Sequence, residues 1–185
     1  MKLFDLRFNS NDFISFLFKN SAEHDKWAPP MFTGECHVKG YPVPAGMRNY
    51  EGDPPYPDAL PDFTGMGLRP IPTFSEHAIQ VLDLLLSEHG EFAAIALDEP
   101  VRYFGFNPTT IVDILDESRS DIVRFSSGRV MKVNKHVLLD SVTSLPPIFK
   151  IPQTRRNTTY VNEAFVTKVR DTGLTGFRFD LLFER

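Results

Sequence analysis

The sequence predicts an α+β fold: a mainly antiparallel sheet with a few packed helices and a Pro-rich, extended N-terminal wrap. Three observations carry that expectation. Strand-like runs outnumber helical stripes and do not alternate regularly with them, which argues against a doubly wound fold. The 185 residues are 42% hydrophobic and 24% charged, an ordinary globular balance in a chain long enough to bury a sizeable core. Seventeen Phe against one Trp and five Tyr imply aromatic packing between sheet and helix.

The opening Lys2–Phe8 places Phe4, Leu6 and Phe8 on one face, the period of a half-buried strand. Asn9-Ser10-Asn11 breaks it, and Asp12 to Lys19 reads as a short helix with Phe13, Phe16 and Leu17 on one side. Between Pro29 and Pro72 lie ten of the fifteen prolines and six of the eleven glycines. Proline removes a backbone donor and biases its predecessor toward extended backbone, so long regular elements are not expected there. The apolar residues Met31, Phe32, Tyr41, Tyr50, Tyr56 and Phe63 argue for an ordered wrap over the core, with a short strand near Phe32–Val38. That wrap reads either as scaffolding or as a recognition surface.

The clearest helix spans Ser75–Glu88, with Ser75 or Thr73 as cap and Gly90 as left-handed stop. Ala78, Val81, Leu82, Leu85 and Leu86 form its buried stripe, while Glu76, Gln80, Asp83 and Ser87 fall on the exposed side. Strand-like runs follow at Phe92–Leu97, Val101–Phe106 and Ile111–Leu115. Asp121–Phe125 and Arg129–Val133 flank Ser126-Ser127-Gly128 as a hairpin, and Leu145–Pro152 is a further extended run. Asn162 caps a last helix whose stripe is Phe165, Val166 and Val169, and Gly173 stops it. The chain ends in a strand with Phe177, Phe179, Leu181 and Phe183 on one face. The expected organisation is an N-terminal strand and wrap, residues 1–72, packed as one globular unit on an α+β core, residues 73–185.

Charge is unevenly divided. Residues 73–117 hold nine acids and a single base, Arg102, whereas residues 118–185 hold six acids and twelve bases. Opposite blocks either pair across the fold or leave an acidic face for a basic partner. The bases of the final third are scattered, with Arg155-Arg156 the one doublet, which is weak support for nucleic-acid binding.

No apolar run is long enough for a membrane helix, and the N-terminus has no secretory signal pattern, so a cytoplasmic protein is expected. One cysteine excludes an internal disulfide. Phosphate-loop, dinucleotide, zincin and nucleophile-elbow motifs are absent. The best enzyme lead is Glu35-Cys36-His37, but neighbours on an extended segment point to opposite faces. Asp113, Asp116 and Glu117 form a carboxylate cluster that is either a cation site or a solvated turn. Arg155-Arg156-Asn157 is either a phosphate grip or a solvated turn. The expectation is a non-enzyme without cofactor or metal.

Ile148-Phe149-Lys150-Ile151, Tyr160-Val161-Asn162-Glu163 and Gly173-Leu174-Thr175-Gly176-Phe177-Arg178-Phe179 follow one another in an order and spacing that resembles a family of bacterial immunity proteins from polymorphic toxin systems. The resemblance covers roughly residues 100–185. It implies a non-catalytic protein that binds a cognate protein toxin and protects the producer by occlusion. It does not specify contact residues. Charge and expected exposure do: Glu76, Gln80 and Asp83 on the helix, Asp113, Asp116 and Glu117 after it, and Tyr50 and Tyr56 as aromatic anchors, against a partner that is basic. A nucleic-acid-binding module on the basic final third and a small enzyme using Cys36 are the alternatives.

Overall fold

β1 (Lys2–Phe8) lies inside a four-stranded antiparallel sheet, between β11 (Tyr160–Asn162) and β12 (Phe177–Glu184), with β10 (Ile148–Phe149) beyond β11. The computed structural model describes residues 1–20, 22, 33–34, 37–38, 44–50, 54–67, 71–155 and 157–185. Among them are twelve strands and two helices, an α+β fold with mostly antiparallel sheets.

The second sheet has six strands: β2 (Phe16–Phe18), β3 (Gly46–Arg48), β4 (Phe63–Met66), β5 (Ile71–Ser75), β6 (Gly90–Ile95) and β7 (Tyr103–Pro108). Their order is β3-β2-β4-β5-β7-β6, and only β2 and β4 run parallel. Helices α1 (Glu76–Leu86) and α2 (Glu163–Thr172) contribute to the core that joins the sheets. A hairpin of β8 (Asp121–Arg124) and β9 (Val130–Lys135) stands apart as its own two-stranded sheet. Its turn has Gly128 at φ +81°, as the Ser-Ser-Gly spacing predicts.

Strand alternation sorts side chains into separate cores. Phe4, Leu6 and Val161 face the central one, with Phe63, Phe74, Phe106, Leu82 and Phe165. Leu3, Phe149 and Tyr160 face the opposite side, where Ile114, Leu115 and Leu138 cover the sheet. β1 is therefore buried on both faces rather than half-buried: Leu3 has no exposed surface, and Asp5 is buried as well. Behind the six-stranded sheet, Phe16, Phe18, Met66, Ile71 and Tyr103 form a third core.

Several expectations change. Phe16 and Phe18 are buried at strand spacing, and Leu17 only half-buried, so Asp12–Lys19 holds β2 in place of a helix; pairing with β3 and β4 overrides a weak local pattern. The Pro-rich window contains β3, β4 and the start of β5, all short. Pro72 is accommodated because β5 pairs with β7 only from Thr73 to Ser75. Most of the expected strand at Phe32–Val38, and with it Met31, Phe32 and Tyr41, lies outside the described residues. Ile111–Leu115 forms only isolated bridges, to Lys150 and Leu138. Gly90 does not stop α1, which ends on Ser87 in right-handed conformation; it opens β6, where a Cβ would meet the Phe106 ring at 2.4 Å. In β12 the predicted single apolar face is broken by a register shift against β1: Phe177 and Phe179 join the central core, whereas Phe183 pairs with Leu3 and packs on the opposite side.

Candidate functional site

α1 begins where Ser75 Oγ accepts from Ala78 N at 3.0 Å. The same hydroxyl donates to Asp62 Oδ1 at 3.0 Å, and Asp62 Oδ2 accepts from both N and Oγ1 of Thr175, each at 3.0 Å. One carboxylate thus ties the start of α1 to the turn that follows α2. Burial works to raise the Asp62 pKa, but hydrogen bonds from Thr175, His77 and Ser75 hold it below the ordinary value. Sequence reading missed Asp62, because its partners lie far from it along the chain.

Ala78, Leu82 and Leu86 are the buried side of α1, and Val81 and Leu85 pack partly against the same core. Outward, Gln80, Asp83 and Ser87 are exposed as the helical spacing predicts. Between them stands Leu84, 89% exposed, the most exposed large hydrophobic side chain among the described residues. Glu76, half-buried, is paired with Arg102 at 2.8 Å. The outer face of α1 is therefore an apolar projection with polar and acidic neighbours.

The second acidic group is internally bound. Asp116 Oδ1 accepts from N and Oγ of Ser118 and from Arg119 N, and its Oδ2 lies 2.6 Å from Arg119 Nε. The Ser118 hydroxyl and Arg119 hold its carboxyl down at about 2. Gln153 Nε2 donates to Asp113 Oδ1 at 3.1 Å and to Glu117 Oε1 at 2.9 Å, and Glu117 also pairs with Arg124. These three residues border the core on the outer side of the four-stranded sheet, whereas α1 packs in the central core. The structure does not bring the two acidic groups onto one element or one core. It does bring Tyr50 and Tyr56 together, edge to face at 5.4 Å, with Tyr50 exposed. Beside Tyr50 in sequence, Arg48 forks onto Glu99 and also contacts Asp58.

Of the nine acids between residues 73 and 117, six are engaged by partners: Glu76, Glu91, Glu99, Asp113, Asp116 and Glu117. Two of those pairings reach into the basic final third, at Arg119 and Arg124. The bases of that third are divided as well. Lys168 and Arg170 lie on α2, which packs on one face of the four-stranded sheet, and Arg129, Lys132 and Lys135 lie on the hairpin covering the other.

A buried polar cluster, unforeseen from the sequence, occupies the outer face of the four-stranded sheet. Tyr160 OH is 2.7 Å from Thr154 Oγ1 and 3.3 Å from His136 Nε2. Burial pushes His136 down to about 4. Asp5 lies 2.6 Å from Arg7 through Oδ2; burial drives its pKa up to about 6 against the pull of that guanidinium. Lys150, fully enclosed, reaches Thr159 Oγ1 at 3.3 Å, and burial lowers it to about 7 against the attraction of Asp5.

Glu35, Cys36, His24 and Arg156 lie outside the described residues; His37 pairs with Glu91 at 2.7 Å. Among the described residues no group of three or more His, Cys, Asp or Glu is placed to hold a metal ion, and no helix is long and apolar enough to cross a membrane. No family model and no curated protein matches the chain.

Proposed function

We propose that this chain is an immunity protein that binds and neutralises a cognate bacterial toxin by occlusion, without catalysis, in the cytoplasm of the producing cell. The observation that carries the reading is the outer face of α1, where Leu84 projects into solvent flanked by Gln80 and Asp83. An apolar anchor ringed by polar groups is the usual plan of a tight interface, the anchor supplying affinity and the charges supplying rate and selectivity. The resemblance in the C-terminal region supports a cognate toxin as the class of partner. Its residues build β11, α2 and β12, which pack beside α1 through the central core. The Tyr50–Tyr56 pair is a second candidate anchor. Asp113, Asp116 and Glu117 are better suited to orienting a basic partner at a distance, since all but one of their carboxylate oxygens already accept hydrogen bonds.

Co-expression with the product of the neighbouring gene tests the proposal. Relief of that product's toxicity, together with a stoichiometric complex, is the expected result. Toxicity unchanged by a folded, abundant chain would overturn it.

A further inference from the structure

The tip of the β8–β9 hairpin and the loop after β10 border an open cleft of about 530 Å³. Phe125, Arg129, Gln153, Thr154, Arg155 and Asn157 line it, and among the described residues no carboxylate does. A second cleft of about 330 Å³ adjoins it through Thr154 and Asn157 and adds Arg7 and Lys132. Both volumes fall in the range of small-molecule sites. In the second cleft the carboxylates Asp5 and Asp180 are each already paired with an arginine, Arg7 and Arg178. The surplus charge is therefore positive, and the larger cleft is its purest part.

Arg129 has no carboxylate partner among the described residues. Its guanidinium lies 4.8 Å from the centre of the Phe125 ring, and its carbonyl accepts from Phe125 N at 2.9 Å, so the turn presents a stacked aromatic–guanidinium pair at the cleft wall. Arg124 braces the turn from behind, donating to Gly128 O at 2.9 Å and pairing with Glu117. A flat ring and a planar cation together stack a nucleobase, and a guanidinium binds phosphate oxygens with two parallel donors. Gln153 is fixed at the cleft wall by Nε2, which donates to Asp113 Oδ1 and Glu117 Oε1.

We propose that this cleft binds a nucleoside monophosphate, with the base against Phe125 and the phosphate on Arg129. The volume of about 530 Å³ suits a mononucleotide. The site is on the opposite face of the four-stranded sheet from α1, so it does not depend on the Leu84 anchor proposed there.

Titration calorimetry of the full chain with AMP, GMP, CMP, UMP and inorganic phosphate tests it. At least one nucleotide is expected to bind at one site per chain, below about 1 mM and more tightly than phosphate alone. Arg129→Ala and Phe125→Ala change exposed positions, so both variants should fold, and each should weaken that binding about tenfold. Lys168→Ala, on α2, should leave it unchanged. No binding by any of the four nucleotides, phosphate binding as well as they do, or binding indifferent to both hairpin variants would overturn the proposal.

Discussion

At the scale of single residues, Gly176 shows why the C-terminal motif needs glycine where it has it. Its φ is +84°, and a Cβ there would lie 2.1 Å from the carbonyl oxygen of Phe63. Gly173, at φ +69°, has open space around the same vector. The two glycines differ in kind: one is required by backbone conformation alone, the other also by close approach of two chain segments. Gly173→Ala is expected to cost about 1 to 2 kcal/mol, the left-handed penalty. Gly176→Ala should cost clearly more, because β4 must also move; denaturant titration of the pair checks the order. Lys150 makes a second residue-level prediction. Burial holds its folded pKa at about 7, against 10.5 when unfolded. Between those values the unfolded chain binds more protons than the native one, so this group makes stability rise with pH from 7 toward 10. Lys150→Met should flatten that rise and stabilise the protein at pH 7 by about 1 to 4 kcal/mol. Thermal melts at pH 7 and 9.5 measure both effects.

At the scale of elements, the two helices were legible because their signals are local. Ser75 and Asn162 cap them, and each helix buries the stripe its spacing implies. Asn162 Oδ1 accepts from Phe165 N at 3.0 Å, while its Nδ2 donates to Leu145 O at 2.9 Å. Removing the cap with Asn162→Ala is expected to cost about 0.5 to 2 kcal/mol, toward the upper end because the bond to Leu145 is lost as well. The β8–β9 hairpin was legible for the same reason, through its Gly128 turn. What sequence could not disclose was set by distant partners. β2 is a strand because β3 and β4 flank it, and Phe183 changes face because β12 slips against β1. Gly90 precedes a strand packed against Phe106 and so has a steric role that resembles a helix stop in sequence alone.

At the scale of the molecule, one core draws on residues from Phe4 to Leu174 and binds both sheets to both helices. Phe177 of one sheet stacks on Phe63 of the other at 4.6 Å, and Phe63 meets Phe74 at 4.9 Å. The phenylalanine-rich composition is spent on this junction. Phe74→Ala, at a position with no exposed surface, should cost about 3 to 5 kcal/mol, and circular dichroism should report loss of both sheets in one transition. The candidate site was legible only in part. Periodicity placed Gln80 and Asp83 outward, but nothing in the pattern of α1 marked Leu84, which sequence alone assigns no role. The acidic blocks looked continuous along the chain, yet six of nine acids are bound by partners that folding supplies. Net charge by segment is therefore a poor guide to the charge a partner meets, and the exposed face of α1 carries the account instead.

The most direct test of that account is protection from the neighbouring gene's product by the double variant Asp83→Lys, Leu84→Arg, compared with the unchanged chain. Both positions are exposed, so the variant should fold with an unaltered melting profile. Loss of protection and of complex formation, with the fold intact, is the predicted result. Full protection by the folded variant would contradict the role given to α1.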